Sequence, residues 1–250
     1  MCLKGCLLEK KYTFENTLVA LFDIQSYSAL IDSSIDRETL INKTRGLCEL
    51  AQSVASNKTG IFKTRYWILS DTIVIAIDTS ENPVTFGGAN VFLNICSFLL
   101  SRSLIEFSLP LRGAIGSGYL YFESGNSKNE FGSCSILLGT ALVDAAKYEK
   151  MQDWLGAIIT PNARKILNTI YKKEGDPSIL ESSDMKNVCR RGKIPLKENT
   201  FLTDEYYILP FLLSPEKFEW KSFLPPHFFR NTDKIKHTDL LYEEAFSHYK

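Results

Sequence analysis

Two aspartates are the residues best placed for chemistry. Asp23 ends the apolar run Thr17-Leu18-Val19-Ala20-Leu21-Phe22, and Asp71 follows 48 residues later, after Tyr66-Trp67-Ile68-Leu69-Ser70. A pair of carboxylates with open coordination positions suits Mg²⁺ or Mn²⁺, which keep several waters and take phosphate oxygens. Two such ions roughly 4 Å apart can activate a hydroxyl and steady a leaving oxygen. Aspartate is also common at strand ends and turns, so spacing alone leaves an ordinary turn role open.

The elements around the two aspartates must bring them together. The run 17–22 is short, continuous and rich in strand formers, which suits a strand buried on both faces and stopping at Asp23. Ser33-x-x-Asp36 reads as a capping box, and Leu40, Leu47, Ala51 and Val54 share one helical face. Asn57 and Gly60 then close that helix. Residues 61–77 read as a hairpin turning at Ser70-Asp71, and residues 87–106 as a second helix. Leu111 to Phe122 reads as a strand, and 123–133 as a polar loop. Gly139 to Trp154 reads as a helix, 157–160 as a strand, and Pro161 opens a helix that runs to Ile170. A last strand pair is expected at 188–196 and 205–209. The order is that of an α/β (α+β) domain with a ferredoxin-like βαββαβ core and C-terminal additions. Residues 1–210 form the catalytic domain in this reading, with 211–250 as a tail packing on it.

Bulk properties exclude several classes. The 250 residues are 44% hydrophobic and 23% charged, ordinary for a folded protein. Lys+Arg and Asp+Glu both number 29, so nothing favours a nucleic-acid track or an anionic membrane surface. Any phosphate binding must be local. The six cysteines contain no Cys-x-x-Cys pair and read as buried thiols of a reducing compartment. The most apolar stretch, Val91 to Leu111, carries Asn94, Arg102 and Glu106, which are costly in lipid. It reads as a core helix of a cytoplasmic protein.

Four motifs then fall in order. Phe22-Asp23-Ile24-Gln25-Ser26-Tyr27-Ser28-Ala29-Leu30 resembles the signature of class III adenylyl and guanylyl cyclases, Asp-Ile-x-Gly-Phe-Thr/Ser-x-Leu. Ile68-Leu69-Ser70-Asp71 resembles that family's Ile-x-Gly-Asp hairpin tip. Leu111-Arg112-Gly113-Ala114-Ile115-Gly116-Ser117-Gly118 resembles its central Arg-x-Gly-Ile-x-x-Gly strand. Arg191-Gly192-Lys193-Ile194-Pro195-Leu196-Lys197 resembles its late Arg-Gly-…-Val-Lys strand. The resemblance covers about residues 17–210. It implies that Asp23, Ile24 and Asp71 hold two divalent ions, Mg²⁺ or Mn²⁺. It implies too that the turn formed by Ile24, Gln25, Ser26, Tyr27 and Ser28 cradles a triphosphate, and that Lys197 and Arg112 touch the substrate.

The departures are informative. Serine stands for glycine at Ser26 and Ser70, and Tyr27 for phenylalanine. Where purine cyclases place a base-reading lysine or glutamate stands Trp67, and where adenylyl cyclases place an aspartate stands Ile136. Neither supplies those hydrogen bonds, and a buried purine amine left unpaired costs about 1–3 kcal/mol. Bulk at both positions favours a pyrimidine. The family's transition-state asparagine and arginine appear as Val143 and Lys147. Lysine keeps a cation but not the two-pronged grip of arginine.

Pro110 to Ile115, Leu138 to Glu149 and Gln152 to Gly156 are similar to the bacterial pyrimidine cyclases of Pycsar antiphage systems. That resemblance implies conversion of UTP or CTP to a cyclic monophosphate, a homodimer with sites at the subunit interface, and catalysis by Asp23, Asp71 and Lys147. The product would act on a partner effector, a TIR-domain or membrane protein. Two alternatives stand beside it: an adenylyl or guanylyl cyclase with an altered pocket, and a silent homologue that binds nucleotide without turning it over.

Overall fold

The computed structural model describes residues 10–32, 36–55, 63–79, 82–124, 136–210, 220–225, 228 and 232–246. Its strands are β1 (Lys10–Ile24), β2 (Lys63–Leu69), β3 (Thr72–Asp78), β4 (Leu111–Ser124), β5 (Ile136–Leu138), β6 (Gly156–Ile159), β7 (Arg190–Pro195) and β8 (Phe201–Ile208). Its α-helices are α1 (Tyr27–Asp32), α2 (Arg37–Ala55), α3 (Phe86–Phe107), α4 (Thr140–Met151), α5 (Pro161–Leu167) and α6 (Thr232–Phe246). The strands form one sheet in the order β2-β3-β1-β4-β6-β8-β7, with β5 paired to β4. β1 lies antiparallel between β3 and β4, and β4 runs parallel to β6.

The apolar run of β1 is continuous because both of its faces are covered. Leu18, Ala20, Phe22 and Ile24 enter a core with Phe92, Leu93 and Leu99 of α3, Leu47 of α2 and Leu167 of α5. Val19 and Leu21 enter a second core with Ala141 and Ala145 of α4, Trp154, Tyr207 and, from α6, Leu241 and Ala245. This alternation follows from the period-2 geometry of a strand. α3 is long and apolar enough to span a membrane, but most of it is buried against the sheet, as its core-helix reading expects. Cys96 and Cys189 are buried, and burial pushes both thiols up.

Some boundaries differ from the sequence reading, each for a local reason. β1 runs one residue past Asp23, because Ile24 still pairs with Leu111. Asp36 is itself the cap of α2: its carboxylate accepts from the main-chain N–H groups of Glu38 and Thr39, both at 3.3 Å. Ser33, Asn57 and Gly60 lie outside the described residues, as do 125–133 of the expected loop; Glu123 and Ser124 of that loop belong to β4. α4 stops at Met151 rather than Trp154. Gln152 is extended there, and its buried side chain donates to the carbonyls of Trp154 and Gly156. α5 ends at Leu167, three residues early. The short β5 and the tail helix α6 have no counterpart in the sequence reading.

Candidate active site

Hydrogen bonds between strand ends bring the two aspartates to one edge of the sheet. Asp23 stands opposite Thr72 of β3 and opposite Arg112 of β4. Directly beyond, the Ile24 N–H donates to the Asp71 carbonyl at 3.1 Å, and the Gln25 N–H to the Pro110 carbonyl at 2.8 Å. Asp71 is near enough for its charge to act on Asp23. Both turns use a left-handed residue. Ser26 has φ 61° and swings the chain into α1, and Ser70 has φ 60° at the hairpin tip. These are the two positions where the motif carries glycine, which takes that conformation at no steric cost.

Asp23 is the electrostatic centre of this edge. Burial, then the Glu149 charge, push its carboxyl up to about 6 from an ordinary 3.8; Arg112 opposes them, Asp71 adds to them, and Lys234 opposes. Arg112 bridges two acids. Its Nη2 donates to Asp23 Oδ2 at 3.3 Å, and its Nε donates to Glu149 Oε1. Glu149 is almost fully buried, on the α4 stripe Ala141, Ala145, Glu149 that faces the sheet. That helix lies close because Gly116 of β4 has no side chain: a Cβ there would meet the Ala141 carbonyl at 2.5 Å.

The remaining sequence-predicted residues divide into two groups. Ile24 and Gln25 are buried at the edge, Tyr27 is half-buried, and Ser28 is exposed beside them. Trp67 is half-buried on β2, with its ring edge-on to Phe122 at 5.0 Å. Lys197 lies in the connection from β7 to β8 and donates its Nζ to the Lys150 carbonyl at 2.6 Å, closing the C-terminal end of α4. Ile136 and Lys147 are not brought to Asp23 within one chain. Ile136 pairs with Glu123, eleven residues along β4 from Arg112, which is about 35 Å of strand. Lys147 is exposed beside the Tyr148 ring, on the side of α4 opposite Glu149, and Val143 is 68% exposed on that same side.

Glu149 and Lys234 reach the site without having been singled out from sequence. A carboxylate in register with Ala141 and Ala145 was the available signal for the first. For the second it was the 4-3-4 spacing of Lys234, Thr238, Leu241 and Ala245, which puts the lysine on the buried stripe of a helix. Lys234 donates its Nζ to Gln25 Oε1 at 2.6 Å. Burial and then Arg112 lower its proton affinity; Asp153 raises it, Lys197 lowers it further, and Asp23 raises it.

The residues suit a hard divalent ion. Two carboxylates lie at one edge, and Asp23 is already held against the Arg112 cation. Among the described residues no three His, Cys, Asp or Glu side chains form a metal-holding group. An ion here would therefore rest on Asp23, Asp71, main-chain oxygen and a ligand's own oxygens.

Two solved structures share this architecture. The adenylyl cyclase CyaB from P. aeruginosa superposes with a TM-score of 0.51 at 12% identity, over 81% of this chain and 95% of that one. The guanylyl cyclase domain of the RhoGC fusion protein from the aquatic fungus Blastocladiella emersonii gives 0.51 at 13% identity, over 81% and 99%. The fold is that of the class III nucleotidyl cyclase domain. No family model and no curated protein matches the sequence itself. With the cyclase fold in place, the expected ferredoxin-like core with additions is what the chain builds, and the likeness at this identity is one of backbone.

Proposed function

We propose that the chain is a nucleotidyl cyclase that converts UTP or CTP to its 3′,5′-cyclic monophosphate and pyrophosphate. The observation that carries the reading is the meeting of Asp23 and Asp71 at one sheet edge, next to the turn over residues 24–28. The cyclase fold and the ordered motifs support it. Mg²⁺ or Mn²⁺ ions, when bound, supply the charge that acidifies the ribose 3′-hydroxyl and neutralises the triphosphate. Asp23, Asp71 and the Ile24 carbonyl would hold them. Within the turn, the N–H groups of Ile24 and Gln25 are bonded to the Asp71 and Pro110 carbonyls, so those of Ser26, Tyr27 and Ser28 would orient the phosphates. In this reading Arg112 and Lys197 offset the charge that builds on the departing pyrophosphate. In the reaction a bond forms from O3′ to the α-phosphorus, the 3′-hydroxyl proton passes to solvent water, the α–β bridge bond breaks, and its electron pair leaves with pyrophosphate.

The pyrimidine assignment rests on Trp67 and Ile136, which offer bulk where a purine amine needs a polar partner. Ile136 and Lys147 lie away from Asp23 in one chain, so in this reading they reach the site from a second copy, and the working unit is a homodimer. Lys147 then supplies a cation to the transition state. The product is a second messenger of antiphage defence in the cytoplasm, acting on a TIR-domain or membrane effector, as the Pycsar resemblance implies. Incubating the purified protein with Mn²⁺ and each of ATP, GTP, CTP and UTP tests the assignment. Cyclic UMP or cyclic CMP is expected as the main product, and faster turnover of ATP or GTP would replace the assignment with a purine cyclase.

One observation favours a second reading. Val143 is exposed and unable to hydrogen-bond where the family places a ribose-binding asparagine. A silent homologue would be stabilised by nucleotide without releasing pyrophosphate, which the same incubation detects.

A further inference from the structure

The tail helix closes on the same edge of the sheet as the aspartates. Lys234, in the first turn of α6, reaches back 209 residues along the chain to bond Gln25, two residues after Asp23. α6 is held firmly behind this contact. Thr238 Oγ1 accepts the Leu155 N–H at 3.1 Å, Leu241 and Ala245 are buried in the second core, and the Tyr242 hydroxyl donates to the Pro210 carbonyl. The Lys234 charge lies within electrostatic reach of Asp23, Arg112 and Lys197. Cations from β4 and from α6 thus meet beside Asp23, and Lys197 of the β7–β8 connection lies within reach of Lys234.

The Lys234 ammonium is half-buried beside Gln25, with Asp153 and Asp23 raising its proton affinity. An amide oxygen is satisfied by any neutral donor, and a half-buried ammonium is a costly one because its charge loses water. Gln25 itself is 1% exposed, and its Nε2 finds no hydrogen-bond partner among the described residues. A glutamine that orients a lysine toward a bound anion accounts for both the charge and the burial.

We propose that Lys234 is a phosphate ligand of the nucleoside triphosphate, so that the C-terminal helix contributes a substrate-binding cation to the site, positioned by Gln25. The inference rests on the triphosphate reading given above and adds the tail to it. It is tested by calorimetric titration of the full chain and of the variants Lys234→Met and Lys234→Arg with the Mn²⁺ complexes of ATP, GTP, CTP and UTP. The unliganded melting temperature of each variant is measured in parallel. Loss of one charge-assisted phosphate contact is expected to weaken Lys234→Met about 10- to 100-fold for every nucleotide that the parent binds. Lys234→Arg should stay within about threefold of the parent, because it keeps the cation. Where Lys234→Met does not fold, Lys234→Gln, which retains a donor for Gln25, serves in its place. Equal affinity of the parent and the neutral variant overturns the proposal alone. Failure of the parent to bind any of the four nucleotides overturns the triphosphate reading and this inference with it.

Discussion

Replacing Asp23 by Asn should make the metal-free protein more stable at pH 8, although it removes a central residue of the site. The folded state holds the Asp23 carboxyl at about 6, against 3.8 ordinarily, chiefly through burial and the Glu149 charge. A raised carboxyl means that the folded state binds the proton more tightly than the unfolded chain. That contribution is fully present below pH 3.8 and is lost as pH rises through 6, so at pH 8 the ionised side chain stands against folding. A gap of about two pH units is about 3 kcal/mol at roughly 1.4 kcal/mol per unit. Discounted for the partial exposure of the carboxyl to solvent, about 1–2 kcal/mol remains. Urea melts of the parent and of Asp23→Asn, taken in EDTA at pH 8 and pH 4, should differ by that amount at the higher pH and hardly at the lower. With Mn²⁺ and nucleotide the order should reverse at pH 8, since ligand stabilises only the state that binds it. An Asp23→Asn protein that is less stable by the same margin at both pH values would refute the electrostatic reasoning.

Four other variants have definite expected outcomes. Ser26→Gly and Ser70→Gly each relieve a left-handed residue, worth about 1–2 kcal/mol, against an unfolded-state entropy cost of about 0.5–1 kcal/mol. Each melt should therefore shift toward stability by about 0.5 kcal/mol. Arg112→Gln leaves the buried Glu149 facing Asp23 without its cation, and a loss of about 3–5 kcal/mol is expected in denaturant melts at pH 7, smaller at pH 5, which lies below the Asp23 value of about 6. The double variant Trp67→Lys, Ile136→Asp supplies polar partners for adenine, and the ratio of ATP to UTP turnover should rise about tenfold or more, read by product chromatography.

Local patterns were legible in the sequence, and long-range closure was not. The run 17–22 announced a strand buried on both faces, and the structure splits its residues alternately between two cores. The hairpin tip at Ser70-Asp71 and the helix opened by Pro161 lie where turn chemistry and capping place them; Thr160 caps that helix by accepting the Ala163 N–H. The periodicity of 139–154 continues through Gln152 and Trp154, but it carries no sign of a side-chain amide that captures two carbonyls and ends the helix at Met151. Lys234 was passed over because its meaning lies in a contact with Gln25 at the other end of the chain. The motif marks Lys147 rather than Glu149, and the structure turns Lys147 to the outside of the helix whose inner face carries Glu149. Ile136 shows the same limit: neither its short strand β5 nor its pairing with Glu123, eleven residues along β4 from Arg112, was legible.

The most direct test of the central claim is a count of Mn²⁺ bound in the presence of a non-cyclisable UTP analogue, by electron paramagnetic resonance titration. Two ions per site, magnetically coupled, are expected for the parent chain, with at least one lost in Asp71→Ala. Two ions bound as tightly in Asp71→Ala as in the parent would show that Asp23 and Asp71 do not share a metal cluster, and the account would fall.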